Sequence, residues 1–238
     1  SKLPTIYFSD GFTGVSLDNV TVVNCQPISR GSRNSLSGLK FMPIDTRGIQ
    51  QMAMDFKSLS YPINCLIGFG AVDSGNLTSV ALNALLSDEE LRSAIRPICL
   101  LGPYFKYSYT LDRLISAFKN SNIIRNCSSV LDLRDRCNIA IGAPGISHAE
   151  RLFAGIPTVL VPQNDKHKAF CVDWDRIGCA LYAKPEPAHI ARQIKKLIAN
   201  QFEKAQEISL EGQRQIDGNG ALRVVSELNA LARRANRK

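Results

Sequence analysis

The 238-residue sequence lacks the marks of several protein classes. No run approaches the roughly 18 consecutive apolar residues that span a bilayer, and Ser1-Lys2-Leu3-Pro4 carries neither the basic nor the apolar region of a secretory leader. No Cys-x-x-Cys pair and no His-Glu-x-x-His occurs, which removes the usual zinc patterns. No Gly-x-Ser-x-Gly elbow occurs either, so the nucleophile of an α/β-hydrolase has no seat. The seven cysteines (25, 65, 99, 127, 137, 171 and 179) are odd in number, and several lie inside apolar runs such as Asn64-Cys65-Leu66-Ile67. They read as free thiols in a reducing, cytoplasmic compartment, where the Asn-x-Ser/Thr sites at Asn19, Asn76 and Asn126 are chance matches. Neither a metal nor a cofactor is called for.

What is present is enough for a full core. Hydrophobic residues make up 45% and charged residues 21%, so most of the chain cannot be intrinsically disordered. The 29 basic and 21 acidic residues leave +8. Part of the excess lies in Arg233-Arg234-Ala235-Asn236-Arg237-Lys238, where a helix dipole favours it. No nucleic-acid module accompanies the charge, so nucleic acid is not an expected partner. Attraction for an anionic small molecule, or peripheral contact with an acidic membrane surface, accounts for it as well.

From about residue 62, short apolar runs alternate with helical patterns. Strands are expected at Ile63–Phe69, Pro97–Gly102, Asn122–Arg125, Cys137–Ile141, Thr158–Val161 and Cys179–Ala183. Helices are expected at about Asn76–Leu86, Tyr109–Phe118, Ser129–Arg134, Ser147–Phe153, His167–Arg176, Pro187–Asn200 and Ala221–Arg233. That alternation implies α/β architecture, a doubly wound parallel sheet covered on both faces. Residues 1–60 fit it less well. Thr5–Phe8 and Val20–Asn24 read as strands, Gln26–Gly38 as an exposed loop, and Gly48–Phe56 as a bridging helix. The expected division is therefore a partial N-terminal segment, 1–60, and a Rossmann-like domain, 61–238.

Ligands of open α/β sheets bind beyond the carboxyl ends of strands. Two such ends are rich in glycine. At Gly68-Phe69-Gly70-Ala71-Val72-Asp73, an aspartate replaces the last glycine of Gly-x-Gly-x-x-Gly; it argues against a dinucleotide, because a carboxylate repels a pyrophosphate, and it serves equally as a helix cap. At Gly142-Ala143-Pro144-Gly145-Ile146-Ser147-His148-Ala149-Glu150, Gly142 and Gly145 permit a tight turn, and the N–H groups of Ile146, Ser147 and His148 can hold a diphosphate while Glu150 accepts from ribose hydroxyls. An ordinary turn, with Ser147 as cap and Glu150 as a first-turn acid, fits the same spacing. Ser147 and His148 diverge by about 100° on a helix, so they form no nucleophile and base pair. His148, His167 and His189 read as surface or capping residues. Gln163-Asn164-Asp165 follows the next strand as either plain loop or sugar contact.

The run Asn138 to Asp165 resembles the nucleotide-sugar site in the C-terminal half of GT-B glycosyltransferases. Within that group, Leu66-Ile-Gly-Phe-Gly-Ala-Val-Asp-Ser-Gly-Asn-Leu-Thr and Ile216-Asp-Gly-Asn-Gly-Ala-Leu-Arg are similar to the UDP-sugar hydrolase of the pseudaminic acid pathway. The resemblance spans about Ile63 to Leu231. It implies that Gly145, Ile146 and Ser147 hold the UDP phosphates, with Gly70 lining the same nucleotide site, that Glu150 holds the ribose, and that the backbone near Val130 reads the uracil. Gln163, Asn164 and Asp165 would face the sugar.

The chain departs from that family in having no Gly-x-Gly-His, the loop whose histidine is thought to activate water. It also carries Pro144 and His148 where the family has other residues. What precedes Ile63 resembles only the tail of the family's first half. Three readings follow: a hydrolase of a UDP-linked amino-sugar that needs a further N-terminal half, a GT-B glycosyltransferase domain, or a nucleotide-binding module without chemistry of its own.

Overall fold

The computed structural model describes residues 5–9, 20–28, 35–46, 48–106, 108–125 and 127–235. Ser1–Pro4, Asn19, residues 29–34 of the exposed-loop expectation, Asn126 and the last three residues of the basic tail lie outside them. In chain order the strands and helices are Thr5–Ser9 (β1), Val20–Asn24 (β2), Ser35–Ser37 (β3), Ile63–Gly68 (β4), Leu77–Leu86 (α1), Glu89–Ala94 (α2), Ile95–Leu101 (β5), Tyr109–Ser116 (α3) and Asn122–Arg125 (β6). After a 3-10 segment at Val130–Arg136 come Ile139–Gly142 (β7), Ile146–Phe153 (α4), Thr158–Leu160 (β8), Asp165–Arg176 (α5), Leu181–Tyr182 (β9), Pro187–Gln215 (α6) and Gly220–Ala235 (α7).

The chain divides into two compact units, Ser1–Ile49 with Arg214–Lys238, and Gln50–Gln213. In the first, β1, β2 and β3 form a parallel sheet. In the same unit α7 seats on a 3-10 turn, Leu39–Phe41. Any side chain at Gly220 would overlap the backbone of Met42, and Arg223 donates to Lys40 O (2.9 Å) while pairing with Asp217. Arg223 holds the Asp217 carboxyl well below the usual carboxylate range. The segment Ile216 to Arg223 therefore works as the seat of α7.

The second unit carries a six-stranded parallel sheet in the order β6-β5-β4-β7-β8-β9. Counted along the chain this is 3-2-1-4-5-6, the doubly wound Rossmann order, which reverses direction between β4 and β7. Apolar side chains alternate across β4 to both faces. Ile63, Cys65 and Ile67 pack with Leu82, Leu85, Ile194 and Leu197, while Leu66 packs with Ile98, Ala140, Val130 and Leu133. Each such fully buried aliphatic side chain contributes about 1.5–3 kcal/mol, so the central strands are the least able to shift. All cysteines except Cys127 are buried. Among the described residues no helix is long and apolar enough to cross a membrane.

Three expectations are corrected. Gly48–Phe56 forms no helix; only Phe56–Ser58 makes a 3-10 turn. Met52, Ala53 and Asp55 are exposed while Met54 and Phe56 pack on the core, an alternation that suits extended backbone and not a helical face. Instead Gln213 Nε2 donates to Met52 O (2.9 Å) and Gln51 Nε2 to Gln213 O (3.0 Å), which hold the segment extended. The stretch Gln26–Gly38 contains β3, paired with β2, where a loop is expected. Finally, the helix expected to end near Asn200 does break there, at Ala199–Phe202, where Asn200, Gln201 and Phe202 take left-handed backbone angles, but a second helical stretch that is not expected follows it to Gln215.

Candidate functional site

The reversal between β4 and β7 opens a cleft of about 200 Å³ at the carboxyl ends of the strands. Gly68 and Gly70 line it from the β4 end, Gly102 from the β5 end, Cys127 and Val130 from beyond β6, and Ser147 and Arg151 from α4. Gly102 has no room for a side chain, because a Cβ there would strike the backbone of Gly70 and Ala71.

Helices that begin at this edge of the sheet each present free N–H groups. Most are filled from within. Asp73 accepts from the N–H of Leu77 (2.7 Å) and of Thr78 (2.9 Å) at the start of α1. Ser108 accepts from Leu111 N at the start of α3 (3.3 Å), and Asn164 accepts from His167 N at the start of α5 (2.9 Å). At α4 the capping position is Gly145, which has no side chain to offer. Gly145 lies at φ 121° and ψ −161°, a region that only glycine occupies comfortably. The N–H groups of Ile146 and Ser147 find no acceptor among the described residues. Ser147 is thus not the cap, and the capping alternative for it is set aside. The positive end of α4 faces solvent beside the cleft.

Glu150 is nearly buried, and it is not a first-turn acid serving its own helix. Its Oε1 accepts from Ser129 Oγ (2.8 Å) and its Oε2 from Val130 N (3.3 Å). Ser129 Oγ in turn accepts from Leu131 N (3.1 Å), so the start of the 3-10 segment and Glu150 hold each other. Carboxylate oxygens accept more than one hydrogen bond, and both keep acceptor capacity. Arg151 is 2% exposed; its Nε donates to Thr158 Oγ1 (3.2 Å) and its Nη2 to Ala143 O (2.9 Å). Burial pulls this guanidinium down to about 10, and it stays charged at neutral pH.

The other expected residues fall as follows. Gln163 Nε2 donates to Phe69 O (2.8 Å), across β7, which engages its amide nitrogen with backbone. Asn164 caps α5 and Asp165 is its first residue. His148 is fully buried, against the expectation of a surface or capping side chain. Its ring meets Trp174 edge-on at 4.8 Å, and neither ring nitrogen has a partner. Burial, and then Arg151, hold its pKa well below the ordinary value. His189 accepts from Lys184 N (3.2 Å). Among the described residues no group of three or more His, Cys, Asp or Glu side chains is placed to hold a metal ion. Ser129 and Arg151 had no sequence signal of their own: one lies 21 positions from its partner, and the other sits inside an amphipathic helix pattern.

No family model matches the sequence. The Uncharacterized protein MJ1062 of Methanocaldococcus jannaschii is 34% identical over 114 residues, which are 46% of this chain and 22% of that protein. Among solved structures, glycosyltransferase VinC in complex with DTDP superposes with a TM-score of 0.60 at 15% identity, over 90% of this chain and 52% of VinC. CalG4, the calicheamicin glycosyltransferase, gives 0.59 at 15% identity over 88% of this chain and 51% of its own. The UDP-GlcNAc 2-epimerase from Neisseria meningitidis bound to UDP-GlcNAc gives 0.54 at 15% identity over 71% of this chain and 45% of its own. The chain spans about half the length of these structures. At such identities the likeness shows the fold alone, a doubly wound Rossmann-like sheet with helices on both faces.

Proposed function

We propose that this chain is the donor-binding part of a GT-B glycosyltransferase, taking the diphosphate of a nucleotide-sugar at the start of α4. The observation that carries the reading is the uncapped α4 terminus at the switch-point cleft, while α1, α3 and α5 are capped by their own side chains. In this reading the N–H groups of Ile146 and Ser147 hold the diphosphate, and Gly145 brings the backbone close to it. Gly70 and Val130 bound the nucleotide, and the free acceptor capacity of Glu150 meets the ribose. Gln163, Asn164 and Asp165 lie on the sugar side. As the glycosidic bond breaks, negative charge grows on the departing diphosphate, and fixed N–H dipoles stabilise that charge without reorganising.

The pseudaminic-pathway hydrolase is the finer reading that the sequence motifs suggest, with water in place of an acceptor hydroxyl. It stands second because its two marker segments are engaged locally: Asp73 caps α1, and Asp217 pairs with Arg223 to seat α7. Outside the cleft, the +8 charge would draw the chain to an acidic membrane surface as a peripheral partner.

Titration calorimetry with UDP and dTDP tests the site. Binding of either in the micromolar to low-millimolar range supports it, and Glu150→Ala should weaken that binding by about 1–3 kcal/mol. Absence of heat with both nucleotides sinks the site. Incubating the native full-length protein with UDP-sugar separates the chemistries: UDP release that requires a sugar acceptor marks a transferase, and release into water alone marks the hydrolase.

A further inference from the structure

We infer that Arg151 is a direct ligand of the diphosphate, a buried cation held in the wall of the cleft with no carboxylate paired to it among the described residues. The inference rests on the proposed reading of the cleft as a nucleotide-sugar site and names a residue outside the glycine and glutamate motif.

A buried charge is costly unless a partner of opposite sign compensates it. Yet among the described residues no carboxylate comes within ion-pair distance of Arg151. Glu150, the preceding residue of α4, favours the charged guanidinium through its own charge, but its oxygens accept from Ser129 and Val130 and it makes no ion pair with Arg151. The two hydrogen bonds that Arg151 does make are to neutral oxygens, of Thr158 and Ala143.

The placement accounts for the absence of a paired carboxylate. Arg151 lines the cleft with Ser147, Gly68 and Gly70. Its Nη1 makes no hydrogen bond among the described residues, and the guanidinium packs on Gly142, where a Cβ would stand 2.7 Å from Gly68 O and 3.0 Å from Nη1. Glycine at position 142 therefore lets the guanidinium lie against the end of β7, in the wall of the cleft. The bond from Nη2 to Ala143 O ties the same guanidinium to the loop that leads into α4, so the cation and the helix end keep a fixed spacing. A planar guanidinium with one arm anchored and one arm free suits a phosphate oxygen, which two N–H groups can approach from one side.

The test compares UDP with uridine, which lacks the phosphates, on wild type, Arg151→Met and Arg151→Lys. The expected result is a loss of about 10- to 100-fold in UDP affinity for Arg151→Met, with uridine affinity changed by less than about threefold. Arg151→Lys, which restores the charge but not the planar fork, should recover only part of the loss. Equal losses for UDP and uridine would mean that Arg151 only supports the loop, and would overturn the inference. So would UDP affinity within about threefold of wild type. If Arg151→Met does not fold, the assigned Nε–Hε resonance of Arg151 in the wild-type protein decides: it moves with UDP and not with uridine if Arg151 touches phosphate, and an unmoved resonance overturns the assignment. Failure of wild type to bind UDP at all refutes the proposed function instead, which keeps the two outcomes distinct.

Discussion

Replacing Gly145 by alanine isolates the backbone of the α4 entry from everything around it. The conformation, φ 121° and ψ −161°, is one that residues with a Cβ essentially avoid. A Cβ built there has no other atom within 4 Å, so no neighbouring side chain contributes to the penalty. The cost is torsional alone, about 1–3 kcal/mol. At about 2–4 °C per kcal/mol for a chain of this size, the melting temperature should fall by roughly 2–12 °C. If the chain relaxes instead, the N–H groups of Ile146 and Ser147 lose their aim and UDP affinity falls with a smaller change in melting.

Asparagine separates this account from a generic glycine effect. It tolerates the left-handed helical region but not the region that Gly145 occupies. Gly145→Asn should therefore cost as much as Gly145→Ala. Gly178 supplies the contrast. It follows α5 in a Schellman arrangement, with Gly178 N donating to Asp175 O (2.9 Å) and Cys179 N to Trp174 O (3.0 Å). There asparagine should cost less than alanine. Thermal melts with parallel UDP titrations read both effects. A Gly145→Ala protein that melts like wild type and binds UDP like wild type would refute the reasoning, as would rescue of position 145 by asparagine.

Two further outcomes follow from groups outside the cleft. Asp73→Ala leaves the N–H groups of Leu77 and Thr78 unpaired, and should destabilise the protein by about 0.5–2 kcal/mol in denaturant melts while UDP affinity stays within about twofold; a large change in UDP affinity would place Asp73 in the site after all. His148 has a folded-state pKa below its unfolded one, so the unfolded state takes up its proton first on acidification. Stability should fall as pH drops below about 6.5, with this one group contributing up to about 1.4 kcal/mol per pH unit until the folded pKa is reached. Arg151, the charged group facing it, stays protonated throughout and adds no slope. His148→Phe, which keeps a ring against Trp174, should flatten the curve over that range, and an unchanged pH profile would count against a neutral buried imidazole.

The alternating part of the fold was legible because its strands are buried on both faces and its helices are amphipathic. Ile63–Gly68 and Leu77–Leu86 fall within a residue of where periodicity puts them. The misses occur where long-range partners decide. Ser35–Ser37 carries one apolar residue, Leu36, and is a strand because β2 offers it a ladder. The sequence of 48–56 has helix-compatible residues, but its shape comes from Gln213, about 160 positions away. At the site, the glycines of the α4 entry are visible as letters. That α4 is the helix left without a cap is not, because it depends on Asp73, Ser108 and Asn164 filling the other helices. Arg151 is plain in the sequence, and only packing reveals that it is buried with no carboxylate paired to it among the described residues.

The bond from Gln163 to Phe69 has a mechanical consequence. It bridges the loops after β8 and β4 over the end of β7. In the proposed reading Gln163 lies on the sugar side, whereas Phe69 sits between Gly68 and Gly70, the two glycines that line the cleft. The two loops therefore cannot separate without breaking a hydrogen bond at 2.8 Å, and a push on one is felt by the other. A donor that displaced Gln163 would slacken the wall around its own nucleotide, so the same amide can couple recognition of the sugar to the grip on the diphosphate.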